Sequence, residues 1–197
     1  MKTPALDHVC VFCGANTGNR PAYAEAARLL GRTLAAHGIT LIYGGGGIGL
    51  MYEAARATVE AGGRVIGIIT EALMAREVGN RNVTELHVVQ TMHERKAMMA
   101  ERADAFVVLP GGYGTFDETC EMLTWNQLGI LATPVVMVNL EGFFDGFLAQ
   151  LERALVDGVL KPQHRAMLVV VTEVDAVLPA IRAWHAPRAA VPSAVKP

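Results

Sequence analysis

The sequence lacks any apolar run close to the roughly 18 residues that a membrane-spanning helix needs. Its first residues carry no apolar segment before Asp7, so they do not read as a secretory signal. Lysine and arginine are scattered without a basic run and the net charge is −2, which is atypical of nucleic-acid-binding surfaces. These absences predict a cytoplasmic protein that binds neither membranes nor nucleic acid.

Cysteine is also scarce, with three in 197 residues. Cys10 and Cys13 form a C-x-x-C pattern, but the residues between them are typical of a strand interior. An odd separation along a strand points the two side chains to opposite faces. We therefore expect buried structural thiols, Cys120 included, rather than a redox pair or half of a zinc site.

Several catalytic signatures are missing as well. The chain has no H-E-x-x-H, no cysteine cluster and no G-x-S-x-G, so neither a metal site nor a serine nucleophile is indicated. Its glycine-rich segments do not end in Gly-Lys-Ser/Thr, the ending of a P-loop. We therefore do not expect hydrolysis of nucleoside triphosphates.

The composition supports a large core, since 52% of the residues are apolar and 18% are charged. Short apolar runs alternate with segments of helical periodicity, which predicts an α/β fold: a Rossmann-like, doubly wound parallel sheet in three layers, α/β/α. We expect a single domain over residues 1–185 and a disordered Pro- and Ala-rich tail over 186–197. The predicted strands are 8–13, 39–43, 64–69, 86–90, 105–109, 134–139 and 168–171, with an irregular segment at 70–84.

The segment 109–118, LPGGYGTFDE, joins a buried strand to a helix that is expected to begin at Thr115. Its glycines let a ligand approach the backbone, and the helix directs unpaired N–H groups and the positive end of its dipole at the same space. Strand, glycine turn and helix start together predict a phosphate site. Glu118 is then a candidate for chemistry beside the phosphate, although Thr115 and Glu118 also fit a capping box.

An earlier glycine cluster at 44–49, GGGGIG, matches the dinucleotide fingerprint G-x-G-x-x-G. It follows the second predicted strand rather than the first, so we interpret it mainly as tight packing of a strand against a helix. Gly45 and Gly46 remain candidates for a phosphate or ribose contact.

A third segment, 91–96 (TMHERK), places a capping box between Thr91 and Glu94 at the start of a helix. Arg95 and Lys96 then lie in the first turns, where a cation is unfavourable with respect to the helix dipole. An anionic partner would explain the two cations. A solvated basic pair, or an ordinary ion pair of Arg95 with a nearby acid, is the alternative explanation.

The segments 92–96 and 110–115 together with Glu118 resemble the LONELY GUY (LOG) family, cytokinin riboside 5′-monophosphate phosphoribohydrolases long labelled as lysine decarboxylases. The resemblance covers about residues 8–185. It implies a Rossmann-like homodimer without cofactor or metal that cleaves a nucleoside 5′-monophosphate to free base and ribose 5-phosphate. In that case Arg95 and Glu118 are catalytic, and the substrate-binding residues are Glu77, Lys96, Gly111, Gly112, Tyr113, Gly114, Thr115 and Thr124.

The chemistry agrees with the resemblance, because breaking a C1′–N bond builds positive charge on the ribose that a carboxylate can stabilise. Two departures from the family pattern affect pocket shape: Phe116-Asp117 stand where Leu-Glu is common, and Ala15-Asn16 where serines are common. The alternatives are a non-catalytic carrier of a nucleotide or of molybdenum cofactor, and a general purine nucleoside 5′-monophosphate nucleosidase. A decarboxylase is not indicated, because no lysine follows a strand in a position to hold pyridoxal phosphate.

Overall fold

The computed structural model describes residues 6–76 and 79–185, without the side chains of residues 75 and 76. It contains a seven-stranded parallel sheet formed by β1 (His8–Phe12), β2 (Thr40–Tyr43), β3 (Val65–Thr70), β4 (Glu85–Val89), β5 (Ala105–Val108), β6 (Val135–Val138) and β7 (Leu168–Val171). The helices are α1 (Pro21–Ala36), α2 (Gly49–Glu60), α3 (Glu71–Arg76), α4 (Met92–Arg102), α5 (Tyr113–Gln127), α6 (Asp145–Val156), α7 (Pro162–Arg165) and α8 (Val177–His185).

The central strands are short apolar segments because helices cover both faces of the sheet. Every residue of β2, β3, β5 and β6 is buried. One face packs against α1, α2 and α8, and the other against α4, α5 and α6. The expected three-layer α/β/α fold in a single domain is confirmed.

The strand order is β4-β3-β2-β1-β5-β6-β7. The chain therefore winds outward from β1 in one direction, and then returns to the other side of β1 to continue in the opposite direction. The point where the direction reverses lies between β1 and β5, and in such sheets a crevice opens there beyond the carboxyl ends of the strands. The topology thus places a ligand site between the loop after β1 and the loop after β5.

The first two cysteines lie where the strand argument placed them. Cys10 belongs to the core under α4 and α5, and Cys13 to the core under α1 and α2. Both are buried free thiols, as expected, whereas Cys120 is exposed. The prediction of a third buried thiol is wrong, because α5 turns that position toward solvent while its neighbour Thr119 faces the core.

Three further differences concern helix boundaries. The segment 70–84, expected to be irregular, contains α3, and α5 begins at Tyr113, two residues earlier than predicted. A 3₁₀ turn at Val174–Ala176 precedes α8, whereas the sequence predicts one helix that starts at 172–175 and ends near His185. The predicted tail, 186–197, lies outside the described residues. Among residues 6–76 and 79–185, no helix is long and apolar enough to cross a membrane.

Candidate active site

A cleft of about 540 Å³ lies at the point where the sheet reverses direction. Its walls come from the loop after β1, from the turn between β5 and α5, and from side chains of α4 and α5. The N–H of Gly14 donates to Pro110 O at 3.0 Å, so the two loops are joined at the floor of the cleft. The cleft is therefore a built feature of the fold, at the place where its topology predicts a ligand.

The N-terminus of α5 forms one wall of this cleft. Gly112 is the N-cap residue and offers no side-chain cap, and the first helical hydrogen bond runs from Phe116 N to Gly112 O at 3.1 Å. Within the described chain, the N–H groups of Tyr113, Gly114 and Thr115 have no hydrogen-bond acceptor. Three free donors at the positive end of a 15-residue helix give this wall of the cleft an electrostatic environment that favours an anion.

Because α5 begins at Tyr113, Thr115 is already inside the helix and no capping box forms with Glu118. The capping interpretation of Glu118 is therefore wrong. Gly111 is needed for a different reason: a Cβ there would collide with the side chain of Thr115, and would lie 2.9 Å from Gly14 N. The turn between β5 and α5 can pass between Thr115 and the backbone of Gly14 because Gly111 has no side chain.

The N-terminus of α2, which follows the earlier glycine cluster, is used differently. The N–H groups of Leu50 and Met51 both donate to Gly14 O, at 2.9 and 3.4 Å. Gly45 and Gly46 are buried outside the cleft, and Gly45 O accepts from Asn80 N at 3.0 Å. The structure does not bring these two glycines to the ligand space, so the cluster serves packing.

Arg95 and Glu118 form a buried ion pair that faces the cleft. Nη1 of Arg95 donates to Oε1 of Glu118 at 2.8 Å, and the two residues are only 5% and 8% exposed. Nε of Arg95 donates to the carbonyl oxygen of Ile68, within β3, at 3.0 Å. A Cβ at Gly44 would collide with Nη2 of Arg95, so the glycine makes room for the guanidinium. Backbone from β2 and β3 thus fixes the arginine from behind, while α5 supplies its carboxylate partner.

Burial raises the pKa of Glu118, while the adjacent Arg95 opposes the shift. A buried ion pair often contributes little to stability, because both charges lose their hydration. A carboxylate with a raised pKa in a cleft is instead typical of a catalytic base. Cys13 also lines the cleft, but burial and the nearby charge of Glu118 raise the pKa of its thiol. It is therefore a neutral thiol at neutral pH rather than a nucleophile.

The other predicted substrate-binding residues fall into three groups. The segment 111–115 lines the cleft as expected, and the side chain of Tyr113 is 96% exposed at its mouth. Lys96 and Thr124 do not line it: Nζ of Lys96 contacts carboxylates on α5, and Oγ1 of Thr124 donates to Cys120 O at 2.7 Å on an exposed part of α5. Glu77 lies outside the described residues.

Sequence reasoning missed several apolar residues of the cleft wall. Leu73 comes from α3, inside the segment expected to be irregular, and Met51 comes from the first turn of α2. Tyr23 and Phe143 contact each other edge to face, with ring centroids 5.4 Å apart. Each of these residues follows the carboxyl end of a strand, and these ends lie at the same edge of the parallel sheet. Their position after a strand was the feature of the sequence that could have predicted them as cleft residues.

The described residues contain no group of three His, Cys, Asp or Glu side chains that could hold a metal ion. The cleft-lining side chains among them include no lysine, so the cleft offers no amine to form a Schiff base with pyridoxal phosphate. Among the described residues that line the cleft, the charged groups are the carboxylates of Glu118 and Asp117 and the guanidinium of Arg95, and a row of backbone N–H groups lies beside them.

Comparison with solved structures supports the fold. The molybdenum cofactor carrier protein of Chlamydomonas reinhardtii superimposes with a TM-score of 0.68 at 21% identity, covering 91% of this chain and 98% of that chain. The molybdenum cofactor binding protein of Rippkaea orientalis gives 0.68 at 20% identity, covering 91% and 97%. At such low identity these similarities concern the architecture alone.

Comparison of sequences gives the family. The family model described as "possible lysine decarboxylase" matches residues 51–181. The probable cytokinin riboside 5′-monophosphate phosphoribohydrolase LOGL9 of Oryza sativa subsp. japonica is 50% identical over 82% of this chain and 71% of its own. The cytokinin riboside 5′-monophosphate phosphoribohydrolase LOG1 of Arabidopsis thaliana is 45% identical over 82% and 76%. The chain belongs to the LOG family, as its motifs indicated.

Proposed function

We propose that this protein hydrolyses the N-glycosidic bond of N6-modified adenosine 5′-monophosphates, releasing the free base and ribose 5-phosphate. The observation that carries the proposal is the Arg95–Glu118 pair, buried at 2.8 Å and facing a cleft whose wall is a free helix N-terminus. Relatives that are 45–50% identical over 82% of the chain carry the name of this activity.

The phosphate of the substrate binds at the N-terminus of α5. The free N–H groups of Tyr113, Gly114 and Thr115 donate to its oxygens, and the helix dipole favours its negative charge. A Cβ at Gly112 or Gly114 would meet no atom within 4 Å, so the space beside them is open to a ligand. The phosphate does not react, and its binding energy serves to orient the ribose over Glu118.

Glu118 is the group that acts on the sugar. As the C1′–N bond of the substrate breaks, positive charge grows on the ribose, and an ionised carboxylate beneath the ring stabilises it. The same carboxylate takes a proton from the attacking water, whose oxygen forms the new bond to C1′. The base leaves with the electron pair of the broken bond and gains one proton, so the reaction consumes one water and releases no net proton.

Arg95 keeps Glu118 in the form and place that this chemistry needs. Burial alone favours the protonated acid, and the contact with the guanidinium opposes that tendency. Because Nε is anchored to Ile68 O at 3.0 Å, the guanidinium holds the carboxylate oxygen at a fixed position. The same hydrogen bond to Ile68 O also fixes the position of Nη2, which lies against Gly44.

Substrate choice has a specific test. Purified protein is incubated with adenosine 5′-monophosphate and with its N6-isopentenyl form, and free base is measured by chromatography. We expect release from the prenylated nucleotide at the higher kcat/KM, because Met51, Leu73 and Met92 give the cleft an apolar wall. Equal release from both nucleotides would indicate a general nucleoside 5′-monophosphate nucleosidase. Tight retention of nucleotide without base release would indicate a carrier and refute the proposal.

We also propose that the protein acts as a homodimer in the cytoplasm, as the family resemblance implies. Val88 on the edge strand β4 and Met92 at the start of α4, 47% and 41% exposed, are apolar side chains for a partner subunit to cover. Size-exclusion chromatography with light scattering tests the oligomeric state, and cell fractionation tests the compartment. A mass equal to one chain at micromolar concentration would refute the dimer.

A further inference from the structure

Lys96 was expected to bind substrate, but its side chain is turned away from the cleft. Its Nζ lies 3.1 Å from Oδ2 of Asp117 and 3.0 Å from Oε2 of Glu121, and its side chain is 10% exposed. It follows Arg95 directly on α4, while its two partners flank Glu118 on α5. Two successive cations of one helix therefore face three carboxylates of the next.

We propose that Lys96 is a positioning residue: by bridging Asp117 and Glu121 it fixes α5 against α4, so that Glu118 meets Arg95 in the orientation that hydrolysis needs. The inference rests on the proposed function. Lys96 then joins two helices instead of binding the substrate, and Glu121 gains a role that neither the motifs nor the lining of the cleft suggested.

The charges on α5 explain why such a bridge is needed. Asp117 and Glu121 are four residues apart, so their carboxylates lie on the same side of the helix and repel each other. Oε2 of Glu121 is inaccessible to solvent, and its charge is balanced by Lys96 at 3.0 Å. If Lys96 were removed, the three carboxylates of Asp117, Glu118 and Glu121 would have Arg95 as their shared neighbouring cation. This part of α5 would then move away from α4, or its carboxylates would take up protons.

The protonation state of the bridge is consistent with this role. Burial alone would lower the pKa of Lys96, but its contacts with Glu121 and Asp117 raise it above the ordinary value, so the amine stays charged. The groups that act on Glu118 itself are Arg95 and Lys96 from α4 and Asp117 from α5; the thiols of Cys10 and Cys13, from β1, are neutral. The positive charge of Lys96, like that of Arg95, lowers the pKa of Glu118 and so favours its ionised form.

The test compares Lys96→Met with Lys96→Arg, which keeps the charge, and with Arg102→Met, which removes an exposed cation from the last turn of α4. Steady-state base release is measured from pH 4 to 9, together with inhibition by ribose 5-phosphate. We expect Lys96→Met to lower kcat by about 10- to 100-fold, as a small misplacement of a catalytic group does. Its KM and its ribose 5-phosphate inhibition constant should change little. The acid limb of its profile should move up by about one pH unit, because a neighbouring cation is lost.

Lys96→Arg should recover most of kcat, and Arg102→Met should behave as the wild type. A Lys96→Met protein with raised KM, weakened ribose 5-phosphate inhibition and an unmoved acid limb would show that Lys96 binds phosphate, and would overturn the inference. Wild-type kinetics in Lys96→Met would overturn it too, while leaving the proposed function intact. If the wild type itself releases no base, the proposed function fails, and the inference fails with it.

Should Lys96→Met not fold, as judged by circular dichroism, Glu121→Gln provides the second variant. It removes one of the two carboxylates of the bridge and leaves the residues of the cleft unchanged. We expect a smaller fall in kcat, about three- to tenfold, with KM unaltered. A folded Glu121→Gln protein with the kcat of the wild type would overturn the inference.

Discussion

Gly44 does not line the cleft, yet its replacement by alanine should inactivate the protein. The new Cβ would collide with Nη2 of Arg95 and lie 3.1 Å from Sδ of Met51. Because Nε of Arg95 is held by Ile68 O, we expect the guanidinium to tilt toward the cleft and away from Oε1 of Glu118. A displacement of about 1 Å in a catalytic group can cost about 100-fold in rate.

The magnitude separates this effect from simple unfolding. Adding a methyl group to a packed site costs about 1–3 kcal/mol, whereas a domain is stable by about 5–15 kcal/mol, so Gly44→Ala should remain folded. We therefore expect kcat for base release to fall about 100-fold in a protein that still shows a cooperative thermal transition.

Gly146→Ala is the matched control, since its new Cβ meets no atom within 4 Å and the residue lies in the first turn of α6. It should keep full activity and gain roughly 0.5 kcal/mol of stability. A Gly44→Ala protein with the activity of the wild type would refute the argument that this glycine makes room for Arg95.

Two more predictions follow from the site. Removing the 5′-phosphate of the substrate should lower kcat/KM by at least about 100-fold, because the N-terminus of α5 then has no anion to orient; comparable turnover of the nucleoside would contradict the phosphate site. The rate should also rise with pH through a pKa above the ordinary range of a glutamate, because burial raises the pKa of Glu118 and its ionised form is the active one; a profile that stays flat down to pH 4 would contradict that assignment.

The sequence was sufficient to predict the sheet and to nominate Arg95 and Glu118 as candidate catalytic residues. Strands buried on both faces are continuous apolar runs, and helices between them follow a different period, so the three layers could be predicted directly. Arg95 and Glu118 were found because each lies just beyond a strand, next to a helix start. Their contact needed the resemblance or the structure, since 23 residues separate them along the chain.

What the sequence could not give depends on the packing between elements. A Thr-x-x-Glu pattern looks the same whether the threonine precedes a helix or lies within it, and only the observed start of α5 at Tyr113 decides the matter for Glu118. Similarly, Lys96 is adjacent to Arg95 along the chain, but its side chain contacts α5 and does not line the cleft. The burial of its partner Glu121 depends on how closely α4 approaches α5, which no local pattern encodes.

The most direct test of the central claim is base release by Glu118→Gln, measured with N6-isopentenyl adenosine 5′-monophosphate at saturating concentration. The substitution keeps the size of the side chain and an oxygen for Arg95, and removes only the charge and the basicity. We predict a loss of about 10²- to 10⁴-fold in kcat, with ribose 5-phosphate still bound and the thermal transition preserved. Turnover equal to that of the wild type would show that Glu118 is not the catalytic carboxylate.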